Sequence, residues 1–331
     1  MKTTSICVAG GGSWGTALAH LLARGGHRVR LWLRDEAVAN AVNQKHENPR
    51  YLPGFLLHST LTATTDPAAL GCPMVVSAVP CQQMRAWLTQ HTAFFQPGVI
   101  LVNAAKGLEE NSLALCSAIV QDCLGFLGQR YAMLSGPSFA AEVVRGLPTA
   151  VVLASHDEQL GRRLRALFSD ATFRCYSSVD VTGVEMGGAL KNVMAIAAGL
   201  CDGLGLGHNS RAALITRGLA EMSRLGAACG ALPQTFMGLS GLGDLTLTCT
   251  GDLSRNRQVG LRLGQGEKLE DITSSLGMVA EGVKTAAAVY RLAQQCQVEV
   301  PLAEAVYNVL YKGHSPQQTL QALMTRDLRD E

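Results

Sequence analysis

The first half of the chain alternates short apolar runs with stretches of helical periodicity. Seven runs have the length and the β-branched content of buried strands, at residues 5–9, 28–33, 74–78, 99–103, 131–134, 150–154 and 172–177. Strands that alternate with helices form a parallel sheet with helices on both faces. The pattern therefore predicts an α/β fold that begins with a Rossmann-like, doubly wound parallel sheet.

The hydrophobic pattern changes after about Val184. The β-branched runs give way to long segments rich in Ala, Leu and Gly, with apolar positions spaced as in helices. This pattern predicts an all-helical C-terminal domain. We place the boundary after residue 182, with a dinucleotide-binding domain over residues 1–182 and a helical, substrate-binding and catalytic domain over residues 183–331.

Composition narrows the classes of ligand. The 28 Lys and Arg residues nearly balance the 26 Asp and Glu residues, so no net field attracts nucleic acid or an anionic membrane. The ten cysteines include no C-x-x-C pair and no His cluster accompanies them, which argues against a metal site and indicates free thiols in a reducing compartment. There is no signal-peptide pattern and no apolar stretch of about 20 residues. The sequence therefore predicts a cytoplasmic protein that binds a small molecule, with no nucleic acid and no membrane as partners.

A glycine-rich turn follows the first predicted strand. The sequence GGGSWG occupies residues 10–15 and leads into an apolar-periodic helix. We assign Gly10 to the tight turn, Gly12 to the close approach of a pyrophosphate, and Gly15 to close packing of helix and strand. Strand, motif, helix and second strand together predict dinucleotide binding. The alternative is a tight turn without a ligand.

The end of the second predicted strand bears on the choice of cofactor. Arg34 and Asp35 stand about 20 residues after the glycines, where a dinucleotide fold meets the adenosine ribose. Arg34 suits the 2′-phosphate of NADP(H), and Asp35 suits the free 2′-hydroxyl of NAD(H). The pair favours NADP(H), with NAD(H) also accepted. The alternative for Arg34 is a solvated charge at a strand end.

Two lysines are candidates for chemistry. Lys106 follows a strand at the ligand-facing carboxyl edge of the sheet, although an ordinary loop lysine is the alternative. Lys191 is the only charge in residues 186–201, a segment apolar enough to be buried all round. Burial brings a lysine toward the working range of a general acid/base, unless its chain reaches the helix surface instead. Gly187 and Gly188 lie one turn away and would let a cofactor ring approach.

A carboxylate and a polar cluster complete the candidates. Asp244 stands in a glycine-rich loop, four residues before Thr248, and either pairs with a catalytic ammonium or caps a helix. Ser254, Arg255 and Asn256 open an apolar-periodic segment, so a hydroxyl, a guanidinium and an amide meet at a predicted helix N-terminus. That arrangement suits a phosphate. The alternative is an N-cap followed by solvated arginines.

These motifs, taken together, are similar to those of one known family. The sequence contains, in this order, GGGSWG, NAAKGLE, SGPSFAAEV, GALKNVMAIAAGL, RAALITRG, GLGDLTLTCTG, SRNRQVG, EGVKTA and VPLAEAVYNVLYKG. They resemble bacterial NAD(P)-dependent glycerol-3-phosphate dehydrogenase over nearly the whole chain. The resemblance implies a Rossmann domain followed by a helical domain, usually as a homodimer, that uses NADP(H) and/or NAD(H) and no metal. His208 departs from the family pattern, and we assign it no role.

The resemblance also implies the site residues. Lys191 is implied as the catalytic acid/base, with Lys106 and Asp244 beside it. Besides the glycines of the turn, the implied dinucleotide contacts are Ser13, Trp14, Arg34, Lys106, Ala140, Arg255, Val279 and Glu281. The implied substrate contacts are Lys106, Gly136, Ser138, Lys191, Asn192, Asp244, Thr248, Ser254, Arg255 and Asn256.

The implied reaction is the reversible reduction of dihydroxyacetone phosphate to sn-glycerol 3-phosphate by hydride transfer from NAD(P)H, supplying glycerol phosphate for phospholipid synthesis. Arg255 would hold the phosphate, and Lys191 would protonate the developing alkoxide. Two alternatives stay open. Another dehydrogenase of the same layout, acting on a hydroxy acid or a sugar acid, would not need the cluster at residues 254–256. A non-catalytic NAD(P)-binding sensor would not need the two lysines and Asp244.

Overall fold

The computed structural model describes residues 3–127, 130–275 and 280–326, and the chain divides into two compact units. The first contains Met1–Lys106 and Cys116–Val184, and the second contains Gly107–Leu115 and Glu185–Glu331. The segment Gly107–Leu115 groups with the second unit although it follows a strand of the first unit in sequence. The functions assigned to the two predicted domains stay predictions.

The first unit is built around one sheet. Its strands are β1 Ser5–Ala9, β2 Arg28–Trp32, β3 Thr62–Thr64, β4 Met74–Ser77, β5 Ile100–Asn103, β6 Tyr131–Ser135, β7 Thr149–Ala154 and β8 Phe173–Ser178. They lie side by side in the order β3-β2-β1-β4-β5-β6-β7-β8. Every predicted strand is present, with its ends within one residue of the predicted ends. The sequence analysis missed β3, because a strand of 3 residues is too short to show an apolar pattern.

Helices connect most of these strands. They are α1 Ser13–Arg24, α2 Glu36–Lys45, α3 Cys81–His91, α4 Cys116–Cys123, α5 Ala140–Val144 and α6 Glu158–Phe168. The sheet and helices bury one continuous apolar core, in which Ile6, Val76 and Val102 of the central strands meet Leu18 and Leu22 of α1. The rigid layer formed in this way sets the positions of the loops at the carboxyl ends of the strands.

The prediction that the whole sheet is parallel is wrong at one position. Strands β1 to β6 pair in parallel, and so do β7 and β8. Strands β6 and β7 run antiparallel, with Leu134 opposite Leu153. The connection explains the reversal, because it contains only the short helix α5, whereas a parallel crossover usually needs a full helix to return along the strand. The doubly wound fold is confirmed, as a mixed sheet.

The strand order identifies the edge at which a ligand is expected. Strands β2 and β4 lie on opposite sides of β1, so the direction of winding reverses between β1 and β4. Such a reversal leaves a crevice beyond the carboxyl ends of the two strands, where open α/β sheets bind ligands. Gly10 directly follows β1. The glycine turn therefore lies at this crevice.

The second unit contains helices and no strand over its described residues, as predicted. Its helices are α7 Val181–Gly203, which begins in the first unit, α8 Gly207–Ala228, α9 Pro233–Phe236, α10 Asp244–Thr250, α11 Arg255–Gly264, α12 Leu269–Ser275, α13 Glu281–Gln295, α14 Pro301–Tyr311 and α15 Pro316–Met324. Its core consists of α7 surrounded by apolar side chains of α8, α10, α13 and α14.

Helix α7 is more apolar than the sequence pattern predicts. It is long and apolar enough to cross a membrane by length and composition, whereas the sequence analysis found no such stretch. The most apolar window of α7 is entirely buried inside the protein. Its glycines let neighbouring backbone segments approach closely. We therefore describe α7 as the core helix of this unit.

A buried carboxylate joins α8 to α14. Glu221 accepts hydrogen bonds from the backbone N–H groups of Leu302 (2.8 Å) and Ala303 (3.3 Å), at a helix N-terminus whose own N-cap residue supplies no side-chain bond. Burial raises the pKa of Glu221 to about 7, although the two N–H groups and nearby Arg224 and Arg217 favour the charged form. The N-terminus of α14 is therefore capped by a carboxyl group that is buried away from water.

Stability is expected to depend on pH through Glu221. The pKa of Glu221 in the folded state lies above its ordinary value of 4.5. The protonated side chain therefore contributes its full stabilisation below pH 4.5, and this stabilisation is lost as the pH rises from 4.5 to about 7. Relative to Glu221→Gln, the free energy of unfolding of the wild type is expected to fall by roughly 3 kcal/mol over this interval and then level off. Urea unfolding of both proteins across the interval measures the difference. A difference independent of pH would contradict this account.

Candidate active site

The glycine turn has the backbone geometry that dinucleotide binding requires. Gly10 has φ +113°, a conformation that favours glycine, and a Cβ there would lie 2.9 Å from the carbonyl carbon of Ala78. A Cβ on Gly15 would overlap the carbonyl oxygen of Gly10, so α1 packs directly on the turn. At Gly12, no atom of the described residues lies within 4 Å of the Cβ position. Open space therefore exists where a pyrophosphate is expected.

The N-terminus of α1 is suited to an anion. Its N-cap, Gly12, supplies no side-chain hydrogen bond, and its first turn contains no acidic residue. The N–H groups of a first helical turn and the positive end of the helix dipole attract a phosphate at such a terminus. Trp14 packs against the core, and its buried indole N–H has no hydrogen-bond partner among the described residues. The indole thus anchors the first turn of α1 to the core.

A residue that the sequence analysis missed holds this turn in place. Asn48 is fully buried and donates its side-chain N–H2 group to the carbonyl of Gly11 (2.9 Å) and the hydroxyl of Thr16 (2.8 Å). Ser13 is tied to the same loop, because its hydroxyl donates to the carbonyl of Tyr51 at 2.7 Å. No pattern marks Asn48 in the sequence, since it lies in an irregular loop 37 residues after Gly11.

The structure separates Arg34 from Asp35. Asp35 caps α2 by accepting from the N–H groups of Ala37 (3.0 Å) and Val38 (3.3 Å), and it forms an ion pair with Arg50 at 3.0 Å. These contacts, first the hydrogen bond from Val38, lower the pKa of Asp35. Arg34 is exposed at the end of β2 and makes no ion pair with a described residue. The carboxylate is thus engaged locally, and the guanidinium is accessible to a ligand.

Lys106 lies just beyond β5, at the carboxyl edge of the sheet. Its Nζ donates to the carbonyl oxygen of Gly136 at 3.2 Å, and the hydroxyl of Ser138 donates to the same oxygen at 2.9 Å. Gly136 has φ +138°, and a Cβ there would lie 2.9 Å from the Cα of Val151, so glycine is required. Ala140 begins α5, which packs on α1. Three predicted substrate residues therefore meet at one carbonyl group.

Lys191 forms a buried ion pair in the second unit. Its Nζ lies 2.7 Å from Oδ1 of Asp244 and donates to the hydroxyl of Thr248 at 2.8 Å. The side chain of Lys191 is 10% exposed and that of Asp244 is 1% exposed. The lysine therefore does not extend to the surface, and Asp244 pairs with the ammonium while Gly243 is the N-cap of α10. The catalytic roles of these residues stay predictions.

Backbone packing fixes the position of this ion pair. Thr248 donates its hydroxyl to the backbone carbonyl of Asp244 at 2.6 Å. A π-helical turn, Leu239–Gly243, directly precedes Asp244, and a Cβ on Gly187 would overlap the carbonyl oxygen of Ser240 in that turn. The sequence predicts that Gly187 lets a cofactor ring approach. The structure shows that Gly187 instead admits the turn that carries Asp244.

The polar cluster at the start of α11 is partly buried. Ser254 is the N-cap and accepts from the N–H of Arg257 at 3.2 Å. Arg255 is exposed, whereas Asn256 is buried and its side-chain oxygen accepts from the N–H of Gly282 at 3.0 Å. The alternative of a capped helix with solvated arginines is therefore right for the Ser254 cap and wrong for Arg257, which is buried. The guanidinium offered to a ligand is that of Arg255.

The remaining predicted residues are spread over the second unit. Asn192 is buried on α7, next to the N-terminus of α13, of which Glu281 is the first residue. Val279 lies outside the described residues. His208 lies 2.8 Å from Arg211, between Nδ1 and a guanidinium nitrogen. Nothing in these contacts gives His208 a part in the site.

Cys249 is a buried thiol that interacts electrostatically with Lys191 and Asp244. All ten cysteines are free, and burial raises the pKa of Cys249, the neighbour of Thr248 in sequence, to about 12. Lys191 therefore has a neutral thiol beside it at physiological pH. Over residues 3–127, 130–275 and 280–326, no three His, Cys, Asp or Glu side chains form a group that could hold a metal ion.

Comparison with known proteins connects these features to one family. The chain matches the family model for the NAD-dependent glycerol-3-phosphate dehydrogenase N-terminus over residues 5–161 and that for the C-terminus over residues 180–321. It is 72% identical over 327 residues to the glycerol-3-phosphate dehydrogenase (NAD(P)+) of Desulfovibrio desulfuricans, covering 99% of this chain and 98% of the relative. Identity to the enzyme of the same name from Nitratidesulfovibrio vulgaris (strain Hildenborough) is 60%, covering 98% and 99% of the two chains.

The fold is also similar to that of a solved structure. The crystal structure of glycerol-3-phosphate dehydrogenase from Coxiella burnetii superposes with a TM-score of 0.92 at 40% sequence identity. The superposition covers 98% of this chain and 99% of that one. The similarity therefore extends over both units, each with its predicted class of secondary structure.

Proposed function

Because the chain belongs to the NAD-dependent glycerol-3-phosphate dehydrogenase family, we propose that it reduces dihydroxyacetone phosphate to sn-glycerol 3-phosphate with NAD(P)H, reversibly. The relatives confirm the family and the oxidoreductase class that the sequence predicted. The observation that carries the proposal is the buried ion pair of Lys191 and Asp244. A buried ammonium held by a carboxylate is suited to donate a proton to an oxygen that gains charge.

Residues of the first unit fit a nicotinamide dinucleotide. The open space at Gly12 and the uncapped N-terminus of α1 suit its pyrophosphate end. Bound NAD(P)H supplies the hydride that reaches C2 of the substrate. The residues proposed to hold the dinucleotide are Gly10, Gly12, Ser13, Trp14, Gly15, Arg34, Lys106 and Ala140, and the family resemblance adds Arg255, Val279 and Glu281.

Lys191 is the proposed acid/base. Negative charge grows on the C2 oxygen as the ketone is reduced, and the Lys191 ammonium donates a proton to that oxygen. Asp244 favours the charged form of Lys191. Asp244 and Thr248 each accept a hydrogen bond from the ammonium group and so fix its orientation. In the oxidation of glycerol 3-phosphate, neutral Lys191 accepts the proton of the C2 hydroxyl. Lys106 is proposed to stabilise the same oxygen electrostatically.

The start of α11 is the proposed phosphate site. Arg255 is exposed at the first helical position, where its guanidinium and the helix N-terminus both favour an anion. Asn256 uses its side-chain oxygen on Gly282, so its N–H2 group is the part that it offers to the phosphate. Binding energy at the phosphate, which does not react, positions the carbonyl for attack. Asn192, Gly136 and Ser138 are the further proposed substrate contacts.

The direct test is the absorbance of reduced nicotinamide with purified protein and dihydroxyacetone phosphate, using NADPH and NADH in parallel. Oxidation of either cofactor that depends on dihydroxyacetone phosphate is the expected result. Dihydroxyacetone, which lacks the phosphate, serves as the matched control substrate and is expected to react far more slowly. If the protein binds NADPH or NADH but oxidises neither of them in the presence of dihydroxyacetone phosphate, that result would contradict the proposed reaction.

Arg34 is expected to determine the preference for NADP(H). Replacing it by alanine removes a charge-assisted contact with the 2′-phosphate, a loss of about 1.5–3 kcal/mol, so the KM for NADPH is expected to rise about 10- to 100-fold. The KM for NADH is expected to change little. Steady-state kinetics with both cofactors measure this. Arg28→Ala removes an exposed arginine from the amino end of the same strand and is the control. An equal rise of both KM values in Arg34→Ala would contradict the assignment.

Two competing functions make different predictions. A hydroxy-acid dehydrogenase of the same layout would be insensitive to inorganic phosphate, whereas the proposed enzyme is expected to be inhibited competitively by it. A non-catalytic sensor would bind NAD(P)H without turnover. The buried ion pair of Lys191 and Asp244 favours an enzyme, because a sensor gains nothing from a desolvated ammonium.

The cellular setting is part of the proposal. The near balance of charge and the buried free thiols support a cytoplasmic protein that binds neither nucleic acid nor membrane. We propose a homodimer that supplies glycerol phosphate for phospholipid synthesis. Light scattering of the purified protein tests the dimer, and loss of phospholipid synthesis on depletion, restored by added glycerol phosphate, tests the role.

A further inference from the structure

Asp202, near the end of α7, holds two arginines with one carboxylate. Its Oδ2 lies 2.8 Å from both Nε and a terminal nitrogen of Arg257, and its Oδ1 accepts from Arg211 at 3.0 Å. The side chains of Asp202 and Arg257 are 12% and 11% exposed. Arg257 also pairs with Asp252 at 2.9 Å, but that carboxylate is 90% exposed. The buried pair is therefore the one that fixes Arg257.

The position of this carboxylate is unfavourable for α7 itself. The last turn of a helix carries the negative end of the helix dipole, where an acidic side chain is repelled. Asp202 lies in that turn and is largely buried. The two arginines offset both the repulsion and the desolvation. The local energetics of α7 therefore do not account for an acidic residue at this place, whereas its bonds to the two arginines do.

Glycines bring α7 into direct contact with α11. A Cβ on Gly199 would overlap the carbonyl oxygen of Arg257, and one on Gly260 would overlap that of Ile196. One turn further on, a Cβ on Gly264 would lie 2.9 Å from the Cα of Gly203. The two helices thus cross backbone against backbone, with little freedom to slide. The ion pair of Asp202 and Arg257 lies at one side of this crossing.

The crossing relates the proposed phosphate site to the proposed acid/base. Asp202 follows Lys191 by eleven residues, about three helical turns, so both side chains project from similar faces of α7, roughly 16 Å apart along the axis. Arg257 is the third residue of α11, in the same turn as Arg255 and the Ser254 cap. Fixing Arg257 therefore fixes the first turn of α11 relative to Lys191.

We propose that Asp202 is a positioning residue for recognition of the substrate phosphate. It holds the first turn of α11 through Arg257, so that Arg255 and the N–H groups at the helix start meet the phosphate at a set distance from Lys191. Since Arg257 is neutralised by Asp202, Arg255 is the cation left for the phosphate. This inference rests on the proposed function and adds a residue that touches neither substrate nor cofactor.

The test compares Asp202→Asn with Asp252→Asn, which removes the exposed partner of the same arginine. For Asp202→Asn, we expect the KM for dihydroxyacetone phosphate to rise about tenfold and competitive inhibition by inorganic phosphate to weaken by the same factor. The value of kcat and the KM for NADPH are expected to change less than about threefold. Asp252→Asn is expected to match the wild type. A merely structural role would lower the active fraction and the Tm without changing the KM or the phosphate inhibition.

A second variant keeps the test decisive if Asp202→Asn folds poorly. Arg257→Lys retains the charge but loses the fork that reaches Asp202 through two nitrogens, and the same increase in KM is expected. Unchanged KM and phosphate inhibition in a folded Asp202→Asn or Arg257→Lys protein would overturn the inference. A wild type that does not oxidise NADPH with dihydroxyacetone phosphate would contradict the proposed function instead.

Discussion

Lys191→Met is expected to lower kcat for dihydroxyacetone phosphate reduction by about 10²–10⁴-fold, the usual contribution of a general acid. Methionine retains most of the volume of the side chain but has no proton to donate. The residues proposed for the pyrophosphate lie in the first unit, so NADPH binding is expected to persist. Steady-state kinetics together with a fluorescence titration of NADPH separate the two effects.

The same substitution leaves Asp244 as a buried carboxylate without its ammonium partner, which is expected to destabilise the protein by roughly 3–5 kcal/mol. The double variant Lys191→Met with Asp244→Asn removes that charge and is expected to regain much of the stability but none of the activity. Lys268→Met, at an exposed lysine, is the control. Activity that returned together with stability in the double variant would mean that Lys191 has only a structural role.

Arg255→Ala is expected to give the second large effect. Removing a guanidinium from a phosphate contact costs about 2–5 kcal/mol, so kcat/KM for dihydroxyacetone phosphate is expected to fall by about 30- to 1,000-fold or more. Reduction of dihydroxyacetone, which has no phosphate, is expected to fall much less, because only the proposed contact of Arg255 with the dinucleotide is lost. The ratio of the two kcat/KM values is therefore the measurement, because it cancels any loss of active protein.

The control for Arg255→Ala lies on the same helix. Arg262→Ala removes an arginine from the last turn of α11, where it pairs with Glu267 near the surface. Such pairs contribute little, so the ratio of kcat/KM for the two substrates is expected to stay at the wild-type value. An equal loss of activity toward both substrates in Arg255→Ala would leave Arg255 with the proposed dinucleotide contact alone and would contradict its assignment to the phosphate.

Local sequence patterns predicted most of the fold. Periodicity and single residues such as Gly10 determine the strand ends, the glycine turn and the helical second half. These features can therefore be recognised in a short stretch of sequence. The antiparallel pairing of β6 with β7 depends on the path of the connection between them, which periodicity does not describe. The burial of Lys191 was predictable because its helix contains no other charge over four turns.

The contacts of the site were harder to predict because they join distant parts of the chain. Lys191 and Asp244 are 53 residues apart, and Arg257 and Asp202 are 55 apart, with no spacing that links them. Asn48 supports the glycine turn from an irregular loop. The family resemblance identified Asp244 through its motif, but it did not show that Gly187 is small in order to admit the backbone before Asp244. Such support depends on three-dimensional packing.

The apolar character of α7 has a consequence during synthesis. The side chains that cover this helix include Ala286 and Val289 of α13 and Ala303 and Val306 of α14, so about 100 residues must follow α7 before its burial is complete. At about 5–20 residues per second, a nascent chain exposes a stretch as apolar as a membrane span for roughly 5–20 seconds. Molecular chaperones that recognise extended apolar segments have that interval in which to bind it.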